Sequence, residues 1–87
     1  MKARGKVEAV YQKIERSQFR CALSGWQISP ECFELDHIMP LSKGGNSEVE
    51  NLQALHPVVN KAKGNMTNEE FIEMCKAVAS YGCSMLR

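Results

Sequence analysis

Between Leu35 and Gly64 the chain reads LDHIMPLSKGGNSEVENLQALHPVVNKAKG. Chain-breaking residues divide this stretch into short pieces: Pro40 closes the first, Gly44-Gly45 marks a loop, and Pro57 and Gly64 bracket the last. Phe33 to Ile38 alternates as a strand does, with Phe33, Leu35 and His37 on one face and Glu34, Asp36 and Ile38 on the other. Ser42 to Ser47 reads as a loop, Ser47 to Glu50 as a turn, and Leu52 to Leu55 as a second strand. Proline suits the first position of a helix, so a helix starts at Pro57, passes through Asn60 to Lys63 and stops at Gly64.

These pieces concentrate reactive groups. Asp36 brings a carboxylate, His37 an imidazole, Asn51 and Asn60 two amides, and Lys61 and Lys63 two ammonium groups. Such a set suits holding a hard divalent ion against a phosphate and activating a water. Imidazole ordinarily titrates near neutrality, which makes His37 the candidate general base. Its second ring nitrogen needs a partner to fix the tautomer, expected to be a backbone carbonyl. Asp36 is the candidate metal ligand, with the neutral amide oxygen of Asn60 as a second. Together they supply one negative charge, so the site holds an ion weakly until phosphate oxygens join it. An uninterrupted strand would send Asp36 and His37 to opposite sides. Both can serve one site if the strand ends there, as Pro40 suggests. Lys63 follows Asn60 by three positions on nearly the same helix face. It is the leading candidate for phosphate contact, with Lys61 and Lys43 behind it.

Asp36-His37, Asn51 and Asn60 resemble the HNH endonuclease motif. Pro40-Leu41-Ser42, Gly44-Gly45, Asn51-Leu52-Gln53 and Lys63-Gly64 lie between and after them in the same order and spacing. The resemblance covers roughly residues 19–66. It departs at the third signature position, where Asn60 stands in place of the commoner histidine. It implies that His37 activates the water attacking a DNA phosphodiester. It also implies that an ion on Asp36 and Asn60 stabilises the leaving 3′ oxygen. Asn51 would act through position, its side chain stapling backbone across the Gly44-Gly45 loop so that His37 is held. An oxygen-only ligand set favours Mg2+ or Mn2+ over zinc or nickel. Many members carry two CxxC pairs that hold a structural zinc. Here the corresponding positions are Cys21 with Ser24 and His56 with Val59. Tetrahedral zinc needs four ligating groups. No structural zinc is therefore expected, and Leu23, Trp26 and Val59 should fill its place by packing.

The flanks read as helices. Over residues 3–17, Val7, Val10, Tyr11 and Ile14 form an apolar stripe. Thr67 and Glu70 suit a capping box for a helix over residues 68–81, with Phe71, Met74, Cys75 and Val78 as its stripe and Gly82 as its stop. Phe19 to Leu23 suggests one more short strand before the Ser24-Gly25 turn. At 87 residues the chain has room for one small domain. Its formal charge is only +1, but residues 1–20 hold six basic side chains against two acidic ones. Lys6, Lys13 and Arg16 on the first helix are thus candidates for non-specific DNA contact. No apolar run reaches membrane-spanning length, and the four cysteines form no CxxC pair, which fits free thiols in an intracellular protein.

The expected fold is therefore α+β: a ββα-metal core at residues 19–66, flanked by helices at 3–17 and 68–81. The expected activity is metal-dependent hydrolysis of DNA, by the chain alone, as a homodimer, or within a phage or restriction assembly. Two other readings stay open: a DNA-binding module with a degenerate core, and a subunit whose nuclease activity needs a partner.

Overall fold

A computed structural model describes residues 2–86. Its elements run in the order α1 (Lys2–Arg16), β1 (Glu34–His37), β2 (Leu52–Leu55), α2 (Pro57–Lys63) and α3 (Asn68–Met85). Short 3-10 turns at Leu41–Lys43 and Val49–Asn51 shape the loop between the strands. The two strands pair antiparallel, with Glu34 opposite Leu55, Leu35 opposite Ala54, Asp36 opposite Gln53 and His37 opposite Leu52. The fold is α+β, and β1, β2 and α2 form a ββα unit. Among the described residues no helix is long and apolar enough to cross a membrane.

One apolar cluster holds the elements together: Ile14 of α1, Cys21 and Ile28 of the intervening loops, Ala54 and Leu55 of β2, Val59 of α2 and Phe71 of α3. Leu55 is completely buried. Burying such a side chain contributes about 1.5–3 kcal/mol. The cluster is small because each flanking helix lends it little. From α1, Ile14 is buried and Val10 packs alongside, while Val7 is exposed. From α3 only Phe71 is buried. The radius of gyration, 14.7 Å, exceeds the ~12 Å expected of a compact chain this long.

Lys13 departs from its expected surface role. Its ammonium donates to the carbonyls of Val49 (3.1 Å) and Leu52 (2.7 Å), fastening α1 to the start of β2. Phe19 to Leu23 forms no strand, only a bridge between Arg20 and Gln27. Gln18 and Phe19 have φ of 60° and 54°, left-handed conformations that turn the chain sharply after α1. At the other end α3 continues through Gly82 to Met85. One glycine costs about 1 kcal/mol relative to alanine within a helix, too little to stop one flanked by helix formers.

The start of α3 is built as expected: Thr67 and Glu70 form a reciprocal capping box. Glu70 Oε1 also accepts from Lys43 Nζ at 2.7 Å, which joins the inter-strand loop to α3. The hydrogen bond from Lys43, then that from the Thr67 N–H, hold the Glu70 carboxyl below its ordinary pKa. The stabilisation is therefore present above the ordinary carboxylate pKa and is lost as pH falls through the lowered value.

Candidate active site

The end of β1, the loop that follows it and the inner face of α2 enclose a cleft of about 470 Å³, lined by Asp36, His37, Asn60, Leu41, Ser42 and Asn65 among others. It is large enough for a phosphate, a water and an ion together. His37 is the last residue of β1, so the strict alternation that would separate it from Asp36 ends there, and both reach the cleft.

Two side chains of α2 meet two of β1. Asn60 and Lys63 are three apart on the helix, and Glu34 and Asp36 are two apart on the strand, so each pair shares a face. Asn60 Nδ2 donates to Glu34 Oε1 at 2.6 Å. Lys63 Nζ donates to Asp36 Oδ2 at 2.5 Å and to the His37 carbonyl at 3.0 Å. Glu34 engages the amide nitrogen of Asn60, whose amide oxygen accepts no hydrogen bond among the described residues.

Lys63 has no exposed surface at all. It therefore cannot reach a DNA phosphate as expected; its partner is Asp36, whose side chain is 11% exposed. Gln53, directly across from Asp36, donates to the same Oδ2 at 2.9 Å. Gln53 is held in turn by a reciprocal amide pair with Asn68 at the start of α3. Among the described residues only Oδ2 of Asp36 is engaged in this way. Asp36 Oδ1 and Asn60 Oδ1 accept no hydrogen bond among the described residues, and both residues line the cleft.

His37 Nε2 lies 3.0 Å from Ser47 Oγ. The partner is a hydroxyl rather than the expected backbone carbonyl. A hydroxyl can donate or accept, so Ser47 fixes the ring but does not by itself dictate the tautomer. The loop carrying Ser47 is closed by Asn51. Asn51 Oδ1 accepts from the Met39 N–H at 2.8 Å, while Nδ2 donates to the carbonyls of Met39 (3.0 Å) and Asn46 (2.7 Å). Gly45 lies so close to this staple that a Cβ there would collide with the Met39 carbonyl oxygen. Only glycine lets the loop close.

The other candidates lie further out. Lys61 is exposed, and Lys43 is half-exposed and paired with Glu70. Lys6 and Arg16 are exposed on α1. Lys6 borders an apolar groove along α1 that shares Leu35 with the cleft.

At the positions corresponding to a zinc ribbon, Val59 is buried in the core and Leu23 packs against it. Trp26 remains 53% exposed, its ring edge-on to His56 at 5.2 Å. His56 caps α2, its Nδ1 accepting from the Val58 N–H. Burial raises the pKa of the Cys21 thiol, but hydrogen bonds from the Ser24 side chain and from the backbone of His56, Ser24 and Leu23 outweigh it, and the pKa is lowered.

The structure adds Glu34, Ser47, Gln53 and Asn68 to the candidates that the sequence offers. Glu34 carries a signal, since it shares a strand face with Asp36. Ser47, ten residues from its partner in an irregular loop, carries none.

The family model for HNH endonuclease matches residues 19–66, more than half of the chain. No curated protein matches the chain.

Proposed function

The chain belongs to the HNH endonuclease family, and from that premise we propose that it hydrolyses DNA phosphodiester bonds with His37 as general base and one divalent ion. The observation that carries this reading is the convergence of Asp36, His37 and Asn60 on a single cleft. Asp36 Oδ1 and Asn60 Oδ1 would hold the ion, which when bound supplies Lewis acidity and positive charge at the scissile phosphate. With the proton on Nε2 and donated to Ser47 Oγ, Nδ1 of His37 would carry the lone pair that takes a proton from the attacking water. Asn51 and Gly45 keep Ser47 and the strand end in register. Lys63 and Gln53 clamp Asp36 by one oxygen and leave the other directed to the cleft.

An all-oxygen ligand pair should work with magnesium or manganese and poorly with zinc or nickel. Metal-titrated plasmid cleavage by the wild type, Asn60→His and Asn60→Ala tests this. Asn60→His should shift the preference toward zinc, nickel and cobalt, and Asn60→Ala should raise the magnesium requirement and cut the rate. A wild type most active with zinc, or an unchanged magnesium dependence in Asn60→Ala, would remove Asn60 from the ligand set.

Of the three α1 candidates, Lys6 and Arg16 are exposed and could contribute non-specific DNA affinity, whereas Lys13 is committed to the Val49 and Leu52 carbonyls. Neutralising Lys6 and Arg16 should flatten the salt dependence of duplex binding by about 0.9 in logarithmic slope for each phosphate no longer neutralised. An unchanged slope would place α1 away from the DNA.

A further inference from the structure

We propose that Lys63 makes retention of the metal ion conditional on DNA. This rests on the nuclease reading and concerns how the same site is loaded. Asp36 brings one negative charge to the cleft, and the Lys63 ammonium, 2.5 Å from Oδ2 and without exposed surface, cancels it. His37 and Asn60 add none when neutral. Glu34 is ionic but exposed, and one of its oxygens is engaged by Asn60 Nδ2. Of the lysines on the flanking elements, Lys61 is exposed and Lys43 is paired with Glu70. A divalent ion entering the cleft without DNA therefore meets two oxygens, a fixed ammonium close by, and no uncancelled negative charge except that of Glu34, which lies exposed to water. A bound phosphodiester supplies the missing charge, as well as oxygens to complete the shell. Ion and DNA should then favour each other's binding by the same factor, since linkage is reciprocal. Lys63 thus does two things at once. It orients Asp36, and it suppresses ion binding when no substrate is present.

Mn2+ binding, followed by the electron paramagnetic resonance signal of the free ion, tests this in the His37→Ala background, where a short duplex stays intact. Affinity for Mn2+ should rise on the order of 10- to 100-fold when the duplex is added. Lys63→Met, which removes the charge at similar length, should bind Mn2+ without DNA more tightly than the parent does without it, and its melting temperature should rise on adding Mn2+ alone. Equal affinity with and without duplex would overturn the inference while leaving the nuclease reading in place. No Mn2+ binding even with duplex would overturn both. If Lys63→Met does not fold, Lys63→Gln, which keeps a neutral donor for Asp36 Oδ2, takes its place, and Mn2+ binding without DNA no tighter than the parent's would overturn the inference.

Discussion

Replacing His37 by alanine is expected to lower the rate of phosphodiester cleavage by about 10²–10⁴-fold, the usual contribution of a positioned general base. Folding should survive, because the ring projects into the cleft at the end of β1 and lies outside the apolar cluster. Its one side-chain partner, Ser47 Oγ, is in an exposed residue and can turn to water. Melting curves and duplex binding should therefore match the wild type while single-turnover cleavage collapses. A near-wild-type rate, with normal Mn2+ binding, would take the proton-transfer role away from His37.

A second large effect is expected at Asp36. Asp36→Ala removes both a proposed metal ligand and the counter-charge of Lys63, whose ammonium is wholly buried. Removing one member of a buried ion pair typically costs about 3–5 kcal/mol, because the remaining charge is left without compensation. The Lys63 carbonyl partner at His37 and the Asn68 partner of Gln53 remain, but neither carries charge. In a domain this small the variant should melt far below the wild type. Asp36→Leu combined with Lys63→Met removes both charges and should recover most of that stability without recovering cleavage. Chemical denaturation of the three proteins distinguishes the cases. A stable Asp36→Ala would mean that Lys63 finds water by a local rearrangement and that the pair does not anchor α2 to β1.

Much of this site is legible in the sequence because its parts are local. Pro57 and Gly64 bound a helix of seven residues, and the structure has that helix. Pro40 ends the alternation that would otherwise separate Asp36 from His37. The staple by Asn51 follows from a motif whose loop admits only glycine at position 45. What sequence alone does not settle is which charged side chains turn inward. Lys61 and Lys63 look alike in composition, yet only Lys63 is buried. Its spacing from Asn60 gives the face; the carboxylate on β1 gives the reason. Lys13 lies three residues after Val10, on the apolar stripe itself, so its inward turn is foreshadowed in the same way. The reach of α3 beyond Gly82 depends on a balance of helix propensities that a single glycine does not tip.

If the cleft beside Asp36, His37 and Asn60 hydrolyses DNA with the aid of a divalent ion, cleavage must depend on both the ion and the imidazole. Incubating the purified protein with supercoiled plasmid in magnesium, in EDTA, and in EDTA followed by excess magnesium tests this most directly, with His37→Ala run alongside. The expected result is nicked or linear DNA with magnesium, none with EDTA, recovery on adding magnesium back, and almost none with His37→Ala. Cleavage that persists in EDTA or in His37→Ala would contradict the proposed chemistry, and so would intact plasmid in both magnesium and manganese despite measurable DNA binding.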